Sequence, residues 1–201
     1  MQKGGACLSE NVLTSDRIVD TAEDVLRRFG PTKTTIVDVA RALGVSHGTI
    51  YRHYASKAEL RDAVTARWLA RITEPLSAIA EGRGSPTKRL ESWITGLASI
   101  KQEKARQDPE LYATYLALAE EAREVTQAHV AELVGQLAKI IEDGIAAGEF
   151  AKSNPLRTAK AVFAATIRFH HPAHHKKWAE GDTNRDLKDV LRILLAGLKA
   201  G

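Results

Sequence analysis

The sequence predicts an all-α protein, a short helical unit followed by a longer helical bundle. Two observations carry this expectation. Apolar residues recur at helical spacing in about nine successive stripes, and no stretch alternates in the strand manner between turn signals. Most of the Gly-Pro, Asp-Pro and Asn-Pro pairs and the hydroxyl residues that start or stop helices fall between those stripes. A chain of 201 residues, 44% hydrophobic and 27% charged, suits one or two small domains with real cores. No apolar run approaches the ~18 residues a membrane helix needs, and the N-terminus lacks a basic start before an apolar stretch, so neither a span nor a signal peptide is expected. One cysteine, Cys7, permits no intrachain disulfide and fits a reducing cytoplasm.

Ile18, Ala22, Val25, Leu26 and Phe29 share one face of a first helix that should stop at Gly30-Pro31. Thr34 or Thr35 can cap a second helix over about 35–43, burying Ile36, Val39, Ala40 and Leu43. Ser46 caps a short third helix. Ser56 caps a fourth that begins at Lys57, carries Leu60, Val64, Trp68 and Ile72, and should kink or end at Pro75. Ser85-Pro86 opens a fifth helix with Leu90, Trp93, Ile94 and Leu97, and Asp108-Pro109 opens a sixth with Leu111, Tyr112, Tyr115 and Leu118. Val130, Leu133, Val134, Leu137, Ile141 and Ile145 make a seventh ending near Gly148. Asn154-Pro155 starts an eighth, with Leu156, Ala159, Phe163 and Ile167 in register until Pro172. The last carries Leu187, Val190, Leu191, Leu194, Leu195 and Leu198. The division expected is a flexible tail over 1–14, a first domain over 15–62 and a second over 63–201. No linker separates the domains, so the fourth helix should belong to both.

The third helix is the unusual one. Between Gly44-Val45 and Lys57 it displays Ser46, His47, Thr49, Tyr51, Arg52, His53 and Tyr54, too many hydrogen-bonding groups for a core. From Arg41 to Ala58 the chain has Arg41, Arg52, Lys57, two histidines and no acid, although the net charge of the whole is only +4. A helix, a tight glycine turn and a short polar helix make a helix-turn-helix, whose third helix can enter a major groove. Gly44 permits a left-handed helix end, and Gly48 permits close approach to a neighbour or a DNA backbone.

The stretch TTIVDVARALGVSHGTIYRHYASKAEL closely resembles the DNA-binding signature of the tetracycline-repressor (TetR) family of bacterial regulators, over about residues 15 to 62. The first helix departs from the family pattern in having Leu26 where an aromatic is usual, with Phe29 as the expected substitute. By position, the resemblance implies phosphate contacts at Thr34, Thr35 and Lys57, a base-facing edge at Ser46, His47, Gly48 and Thr49, and mixed contacts at Tyr51, Arg52 and His53. Ile50 and Tyr51 can equally tie the three helices together as core. The partners implied are a palindromic DNA duplex, a second copy of the chain and a small-molecule effector. The expected function is a dimeric, ligand-responsive repressor without cofactor.

A pocket would lie among the fifth to eighth helices, with Trp93, Leu97, Tyr112, Tyr115, His129, Phe163 and Phe169 as candidates. Aromatics at helical spacing are equally compatible with plain core. The wide leucine stripe of the last helix and the small residues of the eighth suggest a dimer interface through Ala159, Phe163, Ile167, Leu187, Leu191, Leu194, Leu195 and Leu198. His170, His171, His174 and His175 cluster around Pro172. They form a weak candidate for zinc or nickel, set against a helix C-terminus that favours cationic side chains. A regulator controlled by a metal or a protein partner is the alternative. No phosphate loop, nucleophile turn or HExxH argues for an enzyme.

Overall fold

The structure, a computed structural model, describes residues 13–179 and 182–199. The tail that holds Cys7 lies outside the described residues up to position 12, and so does Glu180, the acid nearest the histidine cluster in sequence. Among the described residues all regular structure is helical. Two compact units divide inside one helix, the first ending at Val64 and the second beginning at Thr65.

In the first unit, helix α1 (Ser15–Lys33) starts at Thr14, whose hydroxyl accepts from the Arg17 amide. It is interrupted at Gly30 (φ 75°), a backbone conformation that favours glycine. Ile18, Val19, Ala22, Val25 and Leu26 are buried. Phe29 departs from expectation. It is 57% exposed and closes no stripe, because Leu26, 4% exposed, already fills the inward place. Helix α2 (Ile36–Leu43) is fixed at its start by a reciprocal cap. Thr35 Oγ1 accepts from the Asp38 amide at 3.2 Å, and Asp38 Oδ2 accepts from the Thr35 amide at 3.0 Å. Gly44 ends it in the left-handed conformation (φ 69°, ψ 27°). Helix α3 (His47–Tyr51) is capped by Ser46 Oγ, which accepts from the Thr49 amide at 3.2 Å, and is anchored by the fully buried Ile50.

Helix α4 (Lys57–Ala80) neither ends nor loses its helical assignment at Pro75. A proline inside a helix removes one ladder hydrogen bond. Here Ile72, Thr73 and Leu76, all buried around it, hold the helix on both sides.

The second unit continues with α5 (Pro86–Gln107), α6 (Pro109–Glu121), α7 (Arg123–Ala146), α8 (Pro155–Ala165), α9 (Ile167–His170), a 3₁₀ helix (Pro172–Ala179) and α10 (Thr183–Lys199). Its core lies where α7 packs on α5 and α8, around fully buried Leu90, Leu97, Leu133, Leu137, Ile140 and Ile141. Asp108 and Asn154 cap α6 and α8 through their side chains, as their positions before proline predict. Ser85 does not cap α5. Its hydroxyl donates to Glu149, and that carboxylate also accepts from the Thr87 amide at 3.0 Å, so an acid remote in sequence supplies the cap. The single eighth helix expected is two. Thr166 (φ −99°, ψ 2°) breaks it, its hydroxyl donating back to the Val162 and Phe163 carbonyls. Arg89 closes the end of α4, donating to the Ile79 and Ala80 carbonyls and to Asp143 Oδ2 of α7.

Candidate functional site

In the first unit the exposed side of α3 carries most of the groups that the sequence singles out. Ser46, His47, Gly48, Tyr51 and Arg52 are exposed, and Thr49, His53 and Lys57 are half-buried. Their polar groups are satisfied locally or face water. Ser46 Oγ and Thr49 Oγ1 lie 2.9 Å apart, and Arg52 Nη2 donates to Thr49 Oγ1 at 3.4 Å. Tyr51 is 48% exposed, with its ring edge-on to His47, so of the two positions left open Tyr51 is surface and Ile50 is core. Thr35 is exposed at the N-terminus of α2. Thr34 is corrected: it is 6% exposed and donates its hydroxyl to the Gly30 carbonyl at 2.7 Å, which leaves nothing to offer a phosphate. Tyr54 is buried, with its hydroxyl donating to the Ser15 carbonyl.

The second unit holds a cavity of about 490 Å³ walled by α4 to α9 and the start of the 3₁₀ helix. Its wall is largely apolar, with Trp68, Leu69, Ile72, Leu116, Val130 and Phe163. Of the seven pocket candidates, Tyr112, His129 and Phe163 line it. Trp93, Leu97, Tyr115 and Phe169 do not. Trp93 and Leu97 are core, the indole donating to Gln136 Oε1, and Tyr115 stacks flat on Trp68 at 4.7 Å. Phe169 is buried in the bundle. Further polar wall residues escaped the sequence reading as ligand-facing groups, among them Lys101, His170, His171, His175 and Arg123. Lys101 is 8% exposed, and burial lowers its ammonium to about 8. The signal was present, since Lys101 continues the buried stripe of Leu90, Ile94 and Leu97 at helical spacing. His129 and His170 are each pushed down to about 3, first by burial and then by the Lys101 charge, and His171 is lowered by the same two causes. Burial pushes the Tyr112 hydroxyl up to about 12.

Residues 18–64 match the family described as bacterial regulatory proteins, tetR family, and residues 86–191 match the tetracyclin repressor-like C-terminal domain. The chain belongs to the tetracycline-repressor family. It is a DNA-binding transcriptional regulator. Among its relatives is the fatty acid metabolism regulator protein of Bacillus subtilis (strain 168), 22% identical over 90% of this chain and 94% of that one. Its fold is shared by the crystal structure of the transcriptional regulator FadR from Bacillus subtilis in complex with stearoyl-CoA, at TM-score 0.62 and 17% identity, covering 92% of this chain and 99% of that one. It is shared too by a protein of unknown function from Rhodococcus sp. RHA1, at TM-score 0.72 and 20% identity, covering 96% and 100%.

In this tetracycline-repressor-family chain the dimer candidates divide. Ala159, Leu187 and Leu191 are buried within their own unit and are not available to a partner as placed. Leu194, Leu195 and Leu198 are half-buried, Phe163 is half-buried on the cavity wall, and Ile167 is 39% exposed. Leu156 and Ile193, 50% and 67% exposed, add to the apolar surface of α8 and α10. The histidines do not converge. His170 Nε2 meets Thr166 Oγ1 at 3.2 Å, His175 Nδ1 meets the Pro172 carbonyl at 2.8 Å, and the His171 and His174 rings lie 6.2 Å apart. Among the described residues no group of three metal-ligating side chains comes together. No described helix is long and apolar enough to cross a membrane.

Proposed function

We propose that the protein is a cytoplasmic, dimeric repressor that reads a near-palindromic operator with α3 and releases it when a small apolar effector enters the cavity of the second unit. Residues 15–62 would form the DNA-reading domain and 63–201 the sensing and dimerising one. The observation that carries the reading is the exposed edge of α3, where Ser46, His47, Gly48 and Arg52 stand clear of the core behind a fully buried Ile50. Arg52 can fork onto a guanine, His47 can donate to a guanine or rest on a thymine methyl, and each good base contact discriminates by about 1–3 kcal/mol. Lys57 sits at a helix start, where a phosphate is favoured, whereas the Thr35 hydroxyl and amide are both given to the Asp38 carboxylate. Two copies would set their α3 helices about one turn of DNA apart, about 34–36 Å.

The apolar strips on α8 and α10 support pairing of two chains through those helices. The cavity, mostly apolar with a few buried polar groups, supports a lipophilic effector. FadR in complex with stearoyl-CoA is a precedent for a lipid-like ligand on this fold. The effector acts by preferring the state that does not bind DNA.

The test is selection from a random duplex library at fixed, near-physiological salt, since phosphate contacts make raw affinity salt-dependent. Wild type should enrich a palindrome. His47→Ala and Arg52→Ala should each relax the preference at particular bases. Enrichment of no sequence, or unchanged preferences in both variants, overturns the reading.

A further inference from the structure

Three polar side chains on the cavity wall are buried, and among the described residues their polar atoms have no hydrogen-bond partner. Lys101 is 8% exposed, and among the described residues it makes no ion pair or hydrogen bond. His129 is 6% exposed, with neither ring nitrogen bonded, and Tyr112 is 4% exposed, with its hydroxyl unbonded. They come from three different helices, α5, α7 and α6, and meet at one cavity. Buried polar groups are normally paired, and an unpaired one costs the full loss of its hydration. A cation without a counter-charge is the most expensive of these.

The donors outnumber the acceptors. Lys101 offers ammonium protons, Tyr112 a hydroxyl proton and neutral His129 one N–H. His170 is already engaged, because Thr166 gives its own hydroxyl proton to backbone carbonyls and its oxygen then accepts from His170 Nε2. The acid on the wall, Glu120, is exposed to solvent, so no buried carboxylate among the described lining residues answers Lys101.

We infer that the effector is a lipophilic anion, an apolar body held by Trp68, Ile72 and Phe163 with one negative head seated against Lys101, Tyr112 and His129. The inference rests on reading this cavity as the effector site. The lowered ammonium of Lys101 remains mostly protonated at neutral pH, which keeps the charge in place for such a head. Burial, and after it the same charge, keeps His129 neutral, so that it donates a single proton to the head.

Calorimetric titration of the full-length protein with four ten-carbon probes tests this: decanoate, decyl phosphate, 1-decanol and decylamine. Decanoate or decyl phosphate should bind roughly 10–100-fold tighter than the alcohol and the amine, the worth of a charge-assisted hydrogen bond or two. The preference between the two anions identifies the head as carboxylate or phosphate. Lys101→Met should remove the preference for the anions over 1-decanol, and Lys101→Arg should keep it. Equal binding of alcohol and anion by wild type, or undiminished anion binding by Lys101→Met, overturns the anionic head and leaves the cavity as a neutral-ligand site. Failure of all four probes to bind overturns both the head and the cavity reading.

Discussion

The α3 edge and the cavity wall both gather polar side chains, yet they hold them on opposite terms. At α3, Ser46, Thr49 and Arg52 bond one another or face water, so they await a partner at almost no cost. At the cavity, Lys101, His129 and Tyr112 are buried and, among the described residues, unbonded, so their burial counts against the fold. The difference teaches that the two sites should answer mutation with opposite signs. Removing a polar group at the cavity should strengthen the fold and weaken function. Removing one at α3 should weaken both.

Acid should produce the largest effect. His129 and His170 sit at about 3 in the fold against an ordinary imidazole value near 6.5. Between those values the unfolded chain holds protons that the folded one does not, so stability falls as pH drops from about 6.5 toward 3. All three tryptophans, Trp68, Trp93 and Trp178, lie in the second unit, so tryptophan emission in urea titrations reports that unit. A midpoint constant between pH 6 and 4 would remove the cavity half of the comparison. Next comes Lys101→Met. At pH 7 both folded and unfolded chains hold the lysine proton and the folded state bears the burial, so the variant should be more stable by roughly 3 kcal/mol, the free energy of lowering an ordinary ammonium to about 8. Wild-type stability should also rise from pH 8 to 10.5, as the folded chain sheds that proton first, while the variant stays flat. A less stable variant would mean that Lys101 has a partner in solution. Smallest is Ser46→Ala, which removes the cap of α3 and should cost the first unit about 1 kcal/mol. Circular dichroism should register that loss while the tryptophan transition stays put, and DNA affinity should fall with it.

Much of the fold was legible because its signals are local. A hydroxyl or carboxamide before a helix start makes the same bond wherever it occurs, and Thr35, Ser46, Asp108 and Asn154 all cap as their positions predict. Ser85 shows the limit, since its helix is capped by Glu149, which only tertiary structure brings near. Thr34 shows another. Nothing in its neighbours says that the Gly30 carbonyl will claim its hydroxyl. Helical periodicity told inside from outside well for Ile50 and Trp93 but could not tell core from cavity wall, because both are buried. That is why Trp93 and Leu97 read as ligand-facing. Lys101 was passed over for the converse reason: a lysine adds no apolar signal to the stripe, although its place there is inward. The break at Thr166 was hidden because a threonine in a helix more often bonds back without ending it.

Arg89 braces one wall of the cavity. By holding the Ile79 and Ala80 carbonyls and Asp143 together, it pins the carboxyl end of that helix to α5 and α7. The cavity wall touches the same helix at Ile72, about two turns or 12 Å at helical rise from that pin, so this side of the cavity is braced rather than free to yield.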